Sequence, residues 1–190
     1  MTSGKAVDFL LSRQSNKFVQ APGPGQADLD LILQSAMSAP DHGRLRPWRF
    51  TLIQGDAVAK LADLAIGATR RAGKPLTEEK EASIRKWLSK VPLLVAMACR
   101  IDHSNTKIPE HERALAVGAA AANMLNAAHM LGYGAFWSTG LGTYVDEVTE
   151  ALGYDGLDYQ FLGYLAIGTP IETPEPVTRP DYREFITEWE

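Results

Sequence analysis

A short segment with two prolines, Ser38–Phe50, constrains the fold more than any other part of the chain. It reads SAPDHGRLRPWRF and separates an apolar helical pattern from the apolar run Phe50–Ile53. Pro40 and Pro47 each fix a backbone angle and lack an N–H donor, so a continuous helix cannot pass through the segment. We therefore predict a rigid helix-to-strand loop that holds a histidine and three arginines. Such loops often carry ligand sites, but a proline-stiffened connection with solvated arginines has the same pattern.

A second segment, Phe9–Phe18, places polar residues directly after a short apolar helix. Arg13, Ser15 and Lys17 follow one another at alternate positions. An arginine with a hydroxyl two residues later suits a phosphate, because it combines a charged fork with further hydrogen-bond donors. Taken alone, Arg-x-Ser more often marks a surface turn.

Together, the two segments resemble the flavin-dependent nitroreductase family. In that family an N-terminal Arg-x-Ser motif binds the phosphate of FMN, and a later Ala-Pro-x-(His or Asn)…Pro-Trp-x-Phe segment lines the flavin. The corresponding stretches here are Arg13–Ser15, Ala39–His42 and Pro47–Phe50. The resemblance continues at Gly132–Gly140 and Phe161–Pro170, so it spans nearly the whole chain in the right order. It is strongest to a short branch of the family that has Ala-Pro-Asp-His and no long insertion.

The hydrophobic pattern predicts four strands with helices between them, which indicates a mixed α and β fold. The predicted strands are Phe50–Gln54, Leu93–Cys99, Ala135–Ser138 and Gln160–Ile167. The predicted helices are Lys5–Leu11, Asp28–Met37, Asp56–Ala68 with Asp56 as its cap, Thr77 to before Pro92, Glu110–Met130 and Val145–Leu152. This pattern alone also permits a parallel, doubly wound sheet. The resemblance instead implies an α+β nitroreductase-like fold: a single domain over residues 1–190 with a central, mostly antiparallel sheet flanked by helices.

Two features bear on assembly. The predicted helix Glu110–Met130 is rich in small residues, which suits either a core helix or a dimer interface. The tail after Pro170 ends with Tyr182, Phe185, Ile186 and Trp189, and we expect these side chains to pack on a partner. The resemblance implies a homodimer with an exchanged C-terminal tail and FMN near the subunit interface.

Composition excludes several classes of partner. The net charge is −4, so no general footprint for nucleic acid or anionic membranes is present. Cys99 is the single cysteine and ends an apolar run, so we predict a buried thiol and a reducing compartment. No signal peptide or membrane span is recognisable, and we expect a cytoplasmic protein.

The resemblance assigns cofactor-binding residues one by one. Those expected to contact FMN are Arg13, Gln14, Ser15, Ser38, His42, Trp137, Ser138, Thr139 and Arg179, with Arg183 as the alternative to Arg179. Gln14 and Ser38 stand where relatives have arginine, and Arg44 or Arg46 is a hypothetical replacement for the lost charge. From the residues alone, His42 is also explained as a cap of its own loop and Trp137 as a core residue.

A further segment of six residues matches one that the branch assigns to nicotinamide binding. It consists of Ala127, Ala128, His129, Met130, Leu131 and Gly132. These residues are mostly apolar and end a predicted helix, so helix packing explains them equally well.

The implied function is an FMN-dependent NAD(P)H oxidoreductase with ping-pong kinetics and a nitroaromatic, quinone or similar acceptor. No Gly-x-Gly-x-x-Gly or phosphate-loop motif is present, as expected if NAD(P)H only visits a flavin. The chemistry then belongs to the flavin N5, no side chain acts as a nucleophile, and residues such as Arg70–Lys80 form a lid.

Two other functions remain open at this point. A flavin store or sensor would share the phosphate-binding residues. A metal hydrolase would need ligands from Asp41-His42, Asp102-His103 and Glu110-His111-Glu112, whose spacing matches no metal signature.

Overall fold

A computed structural model describes residues 3–105 and 107–189 of the chain. The helices are α1 Ser3–Ser12, α2 Gln26–Ala36, α3 Asp56–Arg71, α4 Glu78–Leu88, α5 Glu110–Met130 and α6 Asp146–Ala151. The strands are β1 Val19–Gln20, β2 Trp48–Gln54, β3 Leu93–Arg100, β4 Gly134–Ser138 and β5 Tyr159–Pro170. Short 3-10 helices occupy His42–Arg44 and Tyr182–Phe185.

All pairs of neighbouring strands in the described sheet are antiparallel. The order β1-β5-β3-β2 forms its main path, and β4 also pairs with β5. The sequence pattern had left a parallel sheet open, and the strand pairing excludes it. The expected α+β arrangement, an antiparallel sheet flanked by helices, is confirmed.

Strand β3 is apolar from Leu93 to Cys99 because each of its faces meets a separate hydrophobic core. Leu93, Val95, Met97 and Cys99 pack with α2 and α5 on one side. The intervening residues Leu94, Ala96 and Ala98 pack with α3 and α6 on the other. Since successive strand side chains point to opposite faces, a continuous apolar run is what a doubly covered strand requires.

The predicted helix and strand boundaries lie within three residues of those in the structure, but one predicted cap is wrong and one strand was not predicted. Helix α5 covers the predicted range, and α4 begins after Thr77, whose Oγ1 accepts a hydrogen bond from Lys80 N. Helix α3 starts after Gly55, so the prediction that Asp56 caps it is wrong; Asp56 lies inside the first turn. The two-residue strand β1 was not predicted, since it is too short to show alternation.

Several large apolar side chains lie on the surface of the single chain. They include Phe9, Leu10 and Leu11 of α1, Leu115 of α5, and Tyr182, Phe185, Ile186 and Trp189 of the tail. Clustered exposure of this kind is typical of protein–protein contact. None of the helices within residues 3–105 and 107–189 combines the length and apolarity needed to cross a membrane.

Candidate functional site

A pocket of about 610 Å³ opens between α3, α4 and the end of β4. This volume lies in the range of small-molecule sites. Ser138 and Thr139, two of the expected flavin contacts, line its wall together with the following residue Gly140. Lys17 and Phe18 line it from the N-terminal segment. The pocket therefore joins the N-terminal segment Phe9–Phe18 to the segment Gly132–Gly140, and both segments carried the family resemblance.

The end of β4 is held in place by its neighbour β5. Ser138 is buried, and its Oγ accepts a hydrogen bond from Gly140 N at 3.2 Å. Gly163, which precedes the opposite residue Tyr164, has a φ of 102°, and a Cβ at that position would overlap the carbonyl oxygen of Ser138. Only glycine meets both conditions at once. This contact fixes where the loop after Ser138 leaves the sheet.

Trp137 points away from this pocket. Its Nε1 donates to the carbonyl oxygen of Leu162 at 2.9 Å, and its ring packs against the α2–α5 core. The ring is half-buried in the single chain, and this packing agrees with the core explanation that the sequence left open beside the flavin contact.

Arg13 carries a buried donor without a partner. Its Nη1 is shielded from solvent and makes no hydrogen bond to any described residue. An unpaired buried guanidinium nitrogen is costly, since desolvation is not offset by an acceptor. Arg13 lies next to the sheet because Asn16 N donates to Ala135 O of β4 at 2.9 Å. The arrangement suits an anion bound beside the start of β4.

The C-terminal tail runs along this N-terminal segment within the same chain. Arg179 Nη2 donates to Arg13 O at 2.5 Å, and Gln14 Nε2 donates to Pro174 O at 3.1 Å. Arg183 instead pairs with Asp181 at 2.9 Å. Of the two arginines considered for the phosphate, Arg179 is the one beside Arg13. Gln14 uses its amide to hold the tail, and Ser15 is exposed next to it.

His42 and Ser38 lie elsewhere, along α5. His42 Nδ1 is 2.6 Å from Glu112 Oε2, and Ser38 Oγ accepts from Asn123 Nδ2 at 3.2 Å. The N-terminal segment meets the other end of α5, where Ser12 Oγ is 2.9 Å from His129 Nε2. Glu112 and His129 are about 25 Å apart at 1.5 Å per helical residue. One chain therefore does not bring His42 and Arg13 together.

The amino-acid sequence matches the model of one family over residues 10–169, most of the chain. The chain belongs to the nitroreductase family. It is 30% identical to the "Putative NAD(P)H nitroreductase YdjA" of Escherichia coli strain K12, over 96% of this chain and 98% of that protein. The resemblance inferred from the motifs is thus confirmed.

Two solved structures share the fold of this nitroreductase-family chain. A nitroreductase-like family protein from Bacillus cereus has a TM-score of 0.82 and 23% identity, covering 100% of this chain and 98% of that one. A nitroreductase-type protein from Desulfovibrio desulfuricans, solved in complex with FMN, has a TM-score of 0.76 and 22% identity, covering 100% and 99%. At these identities the likeness shows the fold alone.

The six residues expected at the nicotinamide do not line the large pocket. Ala128 is buried in the α2–α5 core, and Ala127 and Leu131 pack against it. His129 contacts α1, Met130 is exposed, and Gly132 ends the helix with a φ of 86°. In the single chain, helix packing accounts for the buried members of this segment.

The loop after His42 is strained. Arg44 and Arg46 have φ values of 53° and 49°, which non-glycine residues rarely adopt, and both side chains are exposed. Asp41 Oδ2 supports this shape by accepting from Arg46 N at 2.6 Å. Strain of this kind concentrates at functional sites. Neither arginine lies near Arg13 of the same chain, since the loop contacts the opposite end of α5.

The remaining polar groups offer little other chemistry. Within residues 3–105 and 107–189 there is no group of three or more His, Cys, Asp or Glu side chains that could hold a metal ion. The Cys99 thiol is buried, and burial raises its pKa to about 11, so it is a poor nucleophile.

Sequence reasoning did not predict that lysines cluster around the pocket. Lys74, Lys80, Lys86 and Lys90 line it together with Lys17. They are scattered over more than seventy positions, and no local motif connects them. Lys17 was noted because it lies two residues after Ser15, and Lys74 and Lys80 fall in the expected lid Arg70–Lys80, whereas nothing pointed to Lys86 or Lys90.

Proposed function

We propose that this chain is an FMN-dependent NAD(P)H oxidoreductase of the nitroreductase type. The observation that carries the proposal is the buried, unpartnered Nη1 of Arg13 with Arg179 beside it. Bound FMN would take a hydride from NAD(P)H and deliver it to a nitroaromatic, quinone or similar acceptor. The names of the related NAD(P)H nitroreductase and of the FMN complex support this assignment.

The phosphate of FMN fits the Arg13 region. A dianion there would give the orphaned guanidinium donor an acceptor, and Arg179 adds a second positive charge. The exposed hydroxyl of Ser15 lies in the same segment. Gln14 contributes indirectly, because its amide fixes the tail that carries Arg179.

The flavin ring is assigned to the end of β4, at the mouth of the large pocket. Ser138 and Thr139 form part of the pocket wall, so a ring bound there would have one side open to the cavity. Lys17 lines the same cavity and supplies a positive charge close to the motif. Neighbouring cations stabilise the electron-rich reduced state of a flavin.

We further propose that the site is completed in a homodimer of this one domain. His42 is too far from Arg13 within one chain to contact the same FMN, whereas a partner's copy is free to approach. Leu11 and Leu115 are exposed and provide apolar surface for such an interface. The proposal includes exchange of the tail beyond Arg179 between subunits, whereas residues 172–179 contact their own chain.

The decisive experiment is a visible absorption spectrum of the purified protein before and after anaerobic addition of NADPH or NADH. We expect flavin bands that bleach with one of the donors and return on addition of a nitroaromatic or quinone. Bands that never bleach would indicate a flavin store or sensor instead. Failure to take up added FMN would overturn the proposal.

A further inference from the structure

The large pocket concentrates positive charge in a protein that is acidic as a whole. Five of the chain's eight lysines line it, at positions 17, 74, 80, 86 and 90. The chain has 23 acidic residues, yet none of the lining residues is Asp or Glu. Random placement on a surface of net charge −4 would mix the two signs.

These lysines form no ion pair with a carboxylate in the described part of the chain, unlike Arg70, Arg71 and Arg85 of α3 and α4. Arg70, Arg71 and Arg85 donate to Glu81, Glu147 and Asp63 respectively. No described carboxylate lies within 4.0 Å of a lysine amine that lines the pocket. Three nearby acids, Glu81, Glu147 and Asp63, are thus held by arginines that do not line the cavity, and the lysine charges are left for an occupant.

The interior of the pocket is apolar and partly aromatic. Trp87 and Phe136 meet edge to face, with ring centroids 6.3 Å apart and planes at 86°. Trp87 is fixed by a hydrogen bond from its Nε1 to Lys17 O at 2.9 Å. Ile84 and Leu141 add aliphatic surface. Walls of this kind favour a planar ring, because aromatic side chains bury large area and keep a defined geometry.

We propose that the pocket takes an aromatic acceptor bearing a carboxylate or similar anionic group, with its ring between the apolar walls and its charge at the lysine rim. This inference rests on the proposed function, since it names the acceptor class of that same site. For a nitro acceptor the balance is simple. The hydride and one proton remove one nitro oxygen as water, one N–O bond breaks, and the nitro group becomes nitroso as NAD(P)H becomes NAD(P)⁺.

The test compares an anionic ligand with its neutral analogue. Naphthoate and naphthamide are titrated by calorimetry into apoprotein and FMN-loaded protein, and para-nitrobenzoate and para-nitrobenzamide are compared as substrates. The variant Lys80→Gln/Lys86→Gln removes two rim charges. The matched control Lys60→Gln/Lys107→Gln removes two exposed charges that do not line the pocket.

We expect the holoprotein to prefer naphthoate to naphthamide. The rim variant should weaken naphthoate binding about fivefold and leave naphthamide unchanged, since exposed ion pairs are modest in strength. Its kcat/KM should fall for para-nitrobenzoate only, and the control variant should match the wild type. Added salt should reduce the preference by screening.

Three results would overturn the inference. These are equal affinity for the two naphthyl ligands, an equal loss in the rim and control variants, and displacement of naphthoate from the apoprotein by FMN. The last would assign the lysines to the cofactor. Flavin uptake and bleaching are measured separately, so a protein that reduces its flavin but shows no preference refutes only this inference. A protein that takes up no FMN refutes the proposed function, whatever its ligand preference.

Discussion

The guanidinium of Arg179 donates a hydrogen bond of 2.5 Å to the main-chain oxygen of Arg13, although the two residues are 166 positions apart. This contact places the guanidinium of Arg179 against the main chain of Arg13. An anion bound beside Arg13 would be attracted by the charge of Arg179 as well. The pair therefore makes specific predictions about cofactor binding.

Replacing Arg13 should separate cofactor affinity from folding. In Arg13→Met, the FMN Kd should rise about 10- to 100-fold, because a hydrogen bond to a charged group contributes about 1.5–3 kcal/mol. The apoprotein should be at least as stable as the wild type, since a buried unpaired charge is removed. Flavin fluorescence titration and thermal unfolding measure the two effects. Unchanged FMN affinity would remove Arg13 from the phosphate site.

Replacement of Arg179 and of Arg183 in the tail should affect FMN affinity differently. Arg179→Ala should weaken FMN binding about two- to fivefold, as expected for an exposed ionic contact. Arg183→Ala serves as its control, because Arg183 already pairs with Asp181. The same fluorescence titration ranks the two variants. If Arg183→Ala had the larger effect, the phosphate contact would belong to Arg183.

Gly163 should tolerate no side chain. Gly163→Ala combines a φ of 102° with overlap of the Ser138 carbonyl, and we expect a loss of more than about 2 kcal/mol in the free energy of unfolding. Gly153→Ala is the control, since its φ of 87° is also unusual but its surroundings are open; it should cost about 1 kcal/mol. Denaturant unfolding compares the two. Equal losses would mean that the overlap is relieved by movement of β4.

The pH dependence of stability should include a contribution from Cys99. Burial raises the pKa of its thiol from 9.0 to about 11, so the folded state holds this proton more tightly than the unfolded state. The contribution is complete below pH 9 and is lost as the pH rises through 11. Tyr133 and Tyr154 also have raised pKa values, for which a hydrogen bond to Asp28 and burial are the respective main causes.

Comparison with Cys99→Ala isolates the contribution of the thiol to the pH dependence of stability, because the tyrosines titrate in both proteins. The wild type should lose more unfolding free energy than the variant between pH 9 and 11, measured by denaturant titration at each pH. The native thiol should also resist labelling by a disulfide reagent until the protein is unfolded. Parallel pH profiles would refute the assignment.

The proposed dimer should depend on Leu115. This side chain of α5 is 68% exposed in the single chain, and Leu115→Glu should dissociate the dimer by placing a charge in an apolar interface. FMN should be lost together with the partner. Leu157→Glu is the control, since Leu157 is also exposed but lies in a turn. Light scattering gives the mass, and a wild type that is monomeric would contradict the proposal.

The fold was readable from the sequence wherever local chemistry decided the outcome. The helix Glu110–Met130 falls where predicted and the helix expected from Thr77 begins one residue later, because periodicity and the signals that start a helix act within a few residues. Strand direction came only from the family resemblance. Nothing in the run Leu93–Cys99 encodes which way its neighbours point. β1 was missed because two residues make no pattern.

The site was readable only in part, for a related reason. Arg13 and Ser138 were predicted as FMN contacts because each lies in a motif, and that role stays a prediction. The contact between Arg179 and Arg13 was anticipated only through the family, and the proximity of the lysines not at all. Such contacts arise when distant segments fold onto one sheet. His42 shows the opposite case. Its motif lines the flavin in the family, yet the chain places His42 at the end of α5 that is far from Arg13.

The two faces of strand β3 pack against two separate cores, and this separation affects how substitutions can accumulate during evolution. Substitutions at Leu94, Ala96 or Ala98 alter the side that carries the pocket helices, whereas those at Val95 or Met97 alter the side of α5. Because no side chain of the strand serves both faces, mutations on one side need few compensating mutations on the other. The proposed acceptor pocket and the proposed dimer interface are thus free to evolve along separate routes.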